Sequence, residues 1–163
     1  MKKTDNKYIR LAVISGLVVI FDQVAKAVIV NRLSLYSSVP VIPGLFNLTH
    51  IQNPGGAFGF LAQQPSGLRS IIFLAGSLLA IGLVFYLYKN TPKTAPWLAT
   101  GISLILGGAV GNLIDRVRFG KVTDFLDFYL DGFHWPAFNI ADSAVSVGIV
   151  IFLFHLLFKK MPE

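Results

Sequence analysis

Two carboxyl groups in this sequence could act as a catalytic pair. Asp142 begins a long apolar segment and Asp124 begins a segment rich in aromatic residues, so both could lie at one depth of a membrane. If they approach closely, repulsion and partial desolvation would leave them sharing one proton at neutral pH, as in aspartic proteases. The ionised carboxyl could then activate water while the protonated one polarises an amide carbonyl. Charge placement alone also fits a helix-capping Asp142 and a surface ion pair of Asp124 with Lys121 or Arg118, so both interpretations stay open.

Other polar residues interrupt the apolar segments and could support such a site. Asp22 and Lys26 are four positions apart, on one helical face where they can neutralise each other. Asn112 precedes Arg116 by one helical turn, so both could project into a shared cavity, although interhelical hydrogen bonding explains Asn112 equally well. Because an ionised group in hydrocarbon is costly, we expect these side chains to face the protein interior or a water-filled cavity.

Other kinds of active site find no support in the residue types. The chain has no cysteine, which rules out disulfides, thiolate zinc sites, a catalytic cysteine and iron-sulfur clusters. His50, His134 and His155 are scattered, without the H-E-x-x-H pattern of zinc hydrolases, and no G-x-S-x-G motif of serine hydrolases occurs. The sequence therefore predicts neither a metal ion nor a cofactor.

Long apolar segments must position these residues. Hydrophobic residues make up 54% of the 163 positions and charged residues only 13%, with a mean hydropathy of +0.66. Apolar runs cover residues 9–30, 68–88, 97–114 and 140–158, each near the roughly 20 residues that cross a bilayer. We predict an all-α polytopic membrane protein with four transmembrane helices, in which residues 1–163 form a single domain.

Basic residues predict the orientation of these spans. The net charge of +6 is spread over small groups beside the apolar runs, which fits membrane orientation better than nucleic-acid binding. Because Lys and Arg are enriched on the cytoplasmic side, both termini are predicted to be cytoplasmic. The residues that carry this prediction are Lys2, Lys3, Lys7, Arg10, Lys89, Lys93, Lys159 and Lys160. Five basic residues also occur in or beside the outer segments, namely Arg32, Arg69, Arg116, Arg118 and Lys121, and the cluster at the N-terminus decides between the two orientations.

The two longer connections, residues 31–67 and 115–139, are predicted to lie on the outer side. Two strands flanking a Pro-Gly turn in the first connection predict a small extracytoplasmic β-sheet. The second mixes aromatic residues with carboxylates, which predicts an interfacial helix and loop. On such a helix Asp127 and Asp131, four positions apart, would form a solvated acidic face.

The third span has two further features. It is predicted to end at Asp115 and Arg116, near the outer interface. Upstream, Gly107 and Gly111 form a small-xxx-small surface, which predicts close packing against another helix.

Five blocks in the same order resemble the lipoprotein signal peptidase family, the bacterial signal peptidase II enzymes that act on prolipoproteins. The blocks are DQVAK at 22–26, NPGGAF at 53–58, GNLIDR at 111–116, VTDF at 122–125 and NIAD at 139–142. Many members have Ser or Thr where Ala25 stands and Ala where Gly56 stands, and neither change removes a proposed catalytic group. The resemblance covers nearly the whole chain, and five ordered blocks are highly specific.

The resemblance implies a role for each matching polar residue. It implies that Asp124 and Asp142 are the catalytic aspartates of an intramembrane aspartic endopeptidase. The residues implied to bind substrate or line the site are Asn53, Gly55, Asn112, Arg116 and Asn139. Those implied to support the polar architecture are Asp22, Lys26 and Asp115.

The resemblance also implies the substrate and its place of processing. The substrate would be a prolipoprotein whose cysteine already carries diacylglycerol, cut immediately before that cysteine. The enzyme would be a monomer in the bacterial cytoplasmic (inner) membrane, surrounded by membrane lipids and with its site near the periplasmic face. The outer sheet and residues 53–60 are candidates for a movable cover over that site.

Three rival interpretations stand beside the peptidase. A small proton-coupled transporter or channel would also place carboxylates inside a membrane, although here they concentrate toward one interface. A structural membrane subunit would tolerate loss of both aspartates, and a metal-dependent hydrolase would lose cleavage in the presence of a chelator.

Overall fold

The computed structural model describes residues 7–55 and 65–158, which form four long helices and a four-stranded sheet. Some predicted features lie outside these residues. They are the flanking Lys2, Lys3, Lys159 and Lys160, and residues 56–60 of the candidate cover.

Each helix has the length and composition to cross a membrane. The helices are α1 Lys7–Arg32, α2 Ser66–Asn90, α3 Pro96–Phe119 and α4 Ile140–Phe158. The four predicted spans are therefore confirmed. Because no helix-breaking residue intervenes, α3 continues past its predicted end to Gly120, which adopts a left-handed conformation (φ 68°) and donates its N–H to the Arg116 carbonyl. Asp115 and Arg116 therefore lie in α3, as predicted for the end of the third span, and the outer connection begins after Phe119 and not at residue 115.

The α3 helix forms the centre of the bundle. In the most apolar stretch of α3, 56% is buried, compared with 6–22% in the corresponding stretches of the other three helices. Close approach depends on glycine: a Cβ at Gly107 would lie 2.7 Å from Val18 of α1, and one at Gly111 would lie 2.8 Å from the Asp22 carboxylate. The predicted packing surface of the third span is thus observed, and it brings α1 against the polar part of α3.

The sheet is antiparallel, with strand order β1-β2-β3-β4. Its strands are β1 Ser38–Ile42, β2 Phe46–Asn53, β3 Val122–Leu130 and β4 Phe133–His134. The predicted strands of the first connection are confirmed. The register places Asn53 opposite Val122 and Ile51 opposite Asp124, so the end of β2 lies beside the start of β3.

The predicted interfacial helix is wrong, because residues 122–134 form a β-hairpin. Asp131 and Gly132 form its turn, both with positive φ (49° and 81°), as an Asp-Gly hairpin turn requires. Valine, threonine and aromatic residues favour the strand, and pairing with β2 satisfies its backbone. Asp127 is accordingly not a solvated helical acid: it is 8% exposed and accepts hydrogen bonds from Asn47 and His134.

The two ends of the bundle differ in their polar residues. At the sheet end, α3 ends and α4 begins beside the start of β3, and His50 of β2 contacts the Leu33 carbonyl just after α1. At the opposite end, Lys7 at the start of α1 donates to the Lys89 carbonyl in the last turn of α2. The candidate catalytic residues all lie at the sheet end.

Candidate active site

The two candidate aspartates share one cavity at the sheet end. Asp124 lies near the start of β3 and Asp142 in the first turn of α4, and both line a cavity of about 580 Å³. Four of the five predicted lining residues belong to its wall: Asn53, Gly55, Asn112 and Arg116. The fifth, Asn139, is fully buried behind the wall and holds the aspartates in place.

Asp124 is held by two amide side chains. Asn139 Nδ2 donates to its Oδ1 at 2.7 Å, and Asn53 Nδ2 donates to its Oδ2 at 3.2 Å. The Gly55 N–H donates to Asn53 Oδ1 at 2.9 Å, which leaves the Asn53 amide nitrogen directed at the carboxylate. With 3% of its surface exposed, Asp124 does not lie at the surface as an ion pair with Lys121 or Arg118 would require.

Asp142 is both a helix cap and a cavity residue. Its Oδ2 accepts the Asn139 backbone N–H at 3.3 Å, while Asn139 Oδ1 accepts the Asp142 N–H at 2.9 Å. This reciprocal pair is a capping box at the start of α4. Asn112 Nδ2 donates to the other carboxylate oxygen of Asp142 at 2.8 Å. The capping interpretation is therefore correct for Asp142 and compatible with a second role in the cavity.

A chain of amide groups connects the two carboxylates. Asn139 Nδ2 also lies 3.3 Å from Asn112 Oδ1, so the path runs from Asp124 through Asn139 and Asn112 to Asp142. Lys26 Nζ donates to the same Asn112 oxygen at 3.0 Å. Because this oxygen faces Lys26, the Asn112 nitrogen is oriented toward Asp142.

Buried charges behind the cavity anchor the backbone beside each aspartate. Lys26 Nζ lies 2.8 Å from Asp22 and 3.1 Å from Asp115, and all three side chains are nearly inaccessible. Asp115 accepts the Thr123 N–H at 3.0 Å, and Asp22 accepts the Ala141 N–H at 2.9 Å. Thr123 directly precedes Asp124, and Ala141 directly precedes Asp142. Each buried acid therefore holds the peptide that carries one aspartate.

Gln23, which is not among the predicted site residues, also belongs to this cluster. Its Nε2 donates to Asp115 at 2.9 Å and lies 3.2 Å from both the Gly111 carbonyl and Asp22. The available signal was an amide within an apolar span, since such groups form interhelical hydrogen bonds. Sequence reasoning also missed the α4 cavity residues Ser143 and Ser146.

The environment of Asp124 favours its protonated form. Burial, and then the nearby Asp142 charge, raise the pKa of Asp124 from 3.8 to about 7, although the amides of Asn53 and Asn139 act in the opposite direction. Its carboxyl therefore stays protonated to a much higher pH than that of an ordinary aspartate. Such a pair of carboxyl groups can hold a single proton and exchange it with a substrate.

Arg116 adds a positive charge to the cavity wall. Its guanidinium carbon lies 5.4 Å from the centre of the Phe73 ring on α2. This contact orients the cation while leaving it part of the cavity lining. It can therefore hydrogen-bond an oxygen of a molecule bound beside the aspartates.

A family model described as signal peptidase (SPase) II matches residues 14–158. The chain belongs to the signal peptidase II family. The lipoprotein signal peptidase of Desulforapulum autotrophicum is 50% identical over 155 residues, covering 95% of this chain and 96% of that protein. That of Syntrophus aciditrophicus is 45% identical over 150 residues, covering 91% and 92%.

A solved structure agrees with this membership. A bacterial membrane enzyme determined by the in meso method at 1.9 Å resolution is 33% identical, with a TM-score of 0.81 over 92% of this chain and 94% of that one. The chain is therefore a peptidase of the signal peptidase II family and a multi-pass bacterial membrane protein.

Proposed function

We propose that the protein is an intramembrane aspartic endopeptidase that removes signal peptides from diacylglyceryl-modified prolipoproteins. Cleavage occurs immediately before the lipidated cysteine. The observation that carries the proposal is the placement of Asp124 and Asp142 on one cavity wall, joined through Asn139 and Asn112. The names of its relatives support the substrate class.

The two aspartates share one proton and act on a water molecule between them and the scissile amide. The ionised carboxyl takes a proton from the water molecule while the water oxygen attacks the amide carbon. The protonated carboxyl donates a hydrogen bond to the carbonyl oxygen, where negative charge develops. Transfer of a proton to the amide nitrogen then breaks the C–N bond, releasing a carboxylic acid and the free amine of the cysteine.

The walls of the cavity suit a substrate held in the bilayer. Asn112 and Arg116 offer polar groups to an extended peptide backbone, while Trp135, Phe138 and Val147 offer apolar surface to the signal helix and lipid. The signal helix and the lipid of such a substrate both lie in the bilayer, so the substrate reaches the site by lateral diffusion. The cluster of basic residues at the N-terminus, Lys2, Lys3, Lys7 and Arg10, supports cytoplasmic termini and a site near the periplasmic face.

Cleavage of a defined substrate tests the proposal. Purified protein is incubated with a diacylglyceryl-modified prolipoprotein and with its unmodified counterpart, with and without EDTA, and mass spectrometry locates the cut. Asp124→Asn and Asp142→Asn are compared with Asp131→Asn, which changes an exposed acid in the hairpin turn, where Asn tolerates the positive φ. We expect chelator-resistant cleavage before the lipidated cysteine, abolished only in the first two variants.

Other outcomes would point to the rival functions. Cleavage lost in EDTA would favour a metal-dependent hydrolase. A folded protein that moves protons or solutes across vesicles without cutting substrate would favour the transporter, although the buried acids of the described spans cluster at the sheet end and do not cross the bilayer. We further propose that the enzyme acts as a monomer without a cofactor.

A further inference from the structure

The two candidate aspartates differ in the elements that carry them. Asp142 is the third residue of α4, and Asp124 is the third residue of β3. The N-terminus of a helix carries about half a positive charge and stabilises a negative group in its first turn, whereas strands have only small net dipoles. The capping box adds the Asn139 backbone N–H, which donates to Asp142 Oδ2. The start of α4 therefore favours an ionised carboxylate at position 142.

Asn112 gives Asp142 a further donor whose direction is fixed. The Asn112 Oδ1 atom faces two donors, Lys26 Nζ at 3.0 Å and Asn139 Nδ2 at 3.3 Å. Turning the amide over would place its own N–H groups against these donors, so its nitrogen stays 2.8 Å from Asp142 Oδ1. Both oxygens of Asp142 consequently accept hydrogen bonds, which stabilise the charged form of a carboxyl.

Asp124 has a comparable pair of donors but a less favourable position for a charge. Its carboxylate accepts hydrogen bonds from Asn139 and Asn53 at 2.7 and 3.2 Å, so the number of donors does not distinguish the two aspartates. Asp124 is only 3% exposed and lies in a strand, whereas Asp142 is half-buried and lies at a helix N-terminus. Burial is the main cause that raises the pKa of Asp124 to about 7. Asp124 is therefore the better site for the shared proton.

The charges around the two aspartates favour the same order. The charged residues that face them from α1 and α3 are Asp22, Lys26, Asp115 and Arg116. The titratable residue of the neighbouring β2 is His50, whose Nδ1 contacts the Leu33 carbonyl. Lys26 is bound to both Asp22 and Asp115, so its charge is balanced inside that cluster. Arg116 attracts Asp142 more strongly than Asp124, which favours the negative charge on Asp142.

We propose that Asp142 is the general base and Asp124 the general acid, and that Asn112 is the positioning residue that keeps the base ionised. This inference rests on the proposed peptidase function and assigns the two roles within it. The wall of the cavity includes all three residues, so the base and the acid can both reach a bound amide.

The protons balance over one cycle. Asp142 takes a proton from water as the water oxygen bonds to the amide carbon, and Asp124 gives its proton to the carbonyl oxygen. Asp142 then passes its proton to the amide nitrogen as the C–N bond breaks. Asp124 recovers a proton from one of the two hydroxyl groups on the former amide carbon, which leaves a carboxylic acid, a free amine and the starting enzyme.

Two matched amide variants test this assignment through the pH-rate profile of cleavage. Asn112→Leu removes the side-chain donor to Asp142, and Asn53→Leu removes one donor to Asp124. Because a base must be ionised and an acid protonated, the base limits the rate at low pH and the acid at high pH. We expect Asn112→Leu to move the acidic limb upward by about one to two pH units and to leave the alkaline limb in place. Asn53→Leu should move only the alkaline limb upward.

The opposite pattern of limbs would overturn the assignment. An Asn112→Leu enzyme with a lower kcat but the wild-type pH profile would show that Asn112 does not act on the base. Asn47→Leu is the matched control, because it removes an amide donor from Asp127 outside the cavity. It should move neither limb.

Infrared spectra of the full chain labelled with ¹³C-aspartate provide a readout without substrate. The protonated-carboxyl band is followed as the pH is lowered in Asp142→Asn, which retains Asp124, and in Asp124→Asn, which retains Asp142. We expect the band to appear at a higher pH in Asp142→Asn. The reverse order, or the same pH in both variants, would overturn the assignment. A wild type that cuts no prolipoprotein would instead refute the peptidase function and would leave this order of protonation unchanged.

Discussion

Asn139 links helix capping, the candidate aspartates and the buried core, so its removal should lower stability and activity by separable amounts. Asn139→Ala loses the N-cap of α4, worth about 1 kcal/mol. It also loses the 2.7 Å hydrogen bond to the Asp124 carboxylate, worth about 1.5–3 kcal/mol. The expected loss is therefore about 2.5–4 kcal/mol. Asn139→Ser can still cap the helix but cannot reach Asp124, so it should recover about 1 kcal/mol of this loss.

The two variants should lose activity alike although their stabilities differ. Both release Asp124 from its position, and a displacement near 1 Å at a reacting group can lower the rate about 100-fold. Because the Asn139 amide holds the pKa of Asp124 down, its loss should also move the Asp124 limb of the pH-rate profile above its position near pH 7.

Thermal unfolding in detergent and kcat measured against pH together test this reasoning. The matched comparison is serine against alanine at position 139, with the exposed Asp131→Asn as the unaffected control. If Asn139→Ser kept the wild-type kcat and pH profile while Asn139→Ala lost both, Asn139 would be only a helix cap and its role at Asp124 would be refuted.

Three other perturbations have definite expected results. Burial raises the pKa of Asp124 from 3.8 to about 7, so protonation of its carboxyl depends on whether the chain is folded. Its contribution to the free energy of unfolding is therefore complete below about pH 4 and is lost as the pH rises through 7. Asp124→Asn should therefore be more stable than the wild type at pH 8, by on the order of a few kcal/mol, with the gap closing near pH 4; a pH-independent gap in unfolding temperature would contradict this. Gly111→Ala places a Cβ 2.8 Å from the Asp22 carboxylate and should cost about 1–3 kcal/mol, whereas Gly76→Ala, with nothing within 4 Å, should not; equal unfolding temperatures would refute the packing argument. Lys26→Met leaves buried carboxylates unpaired and should cost about 3–5 kcal/mol in denaturant unfolding, and a wild-type midpoint would show that the ion pairs are not essential to the fold.

The helices could be predicted from the sequence because a bilayer imposes one length and one composition on each span. The β3–β4 hairpin could not be recognised from aromatic content, since aromatic residues suit both an interface and a strand. The Asp131–Gly132 dipeptide was the signal that separates the two, because its two positive φ angles form a hairpin turn. Pairing of β3 with the distant β2 then supports the strand, and such contacts leave little local trace in a sequence.

The candidate site was predictable to the extent that charges in apolar segments need partners. That argument and the family resemblance identified Asp124, Asp142 and Asn112, all of which line the cavity. The positions of Asn139 and Gln23 depend on how α1, α3 and α4 pack together. The sequence of one span alone therefore could not predict that Asn139 bridges the aspartates or that Gln23 contacts Asp115.

The most direct test of the paired aspartates compares kcat for Asp124→Asn, Asp142→Asn and the double variant on one lipidated prolipoprotein. Residues that act as one unit are not additive, because losing either member removes the whole function. We predict that both single variants and the double variant fall to the same residual rate, while Asp131→Asn keeps the wild-type rate. A single variant with substantial activity, or a double variant whose loss equals the product of the two single losses, would contradict a shared catalytic function.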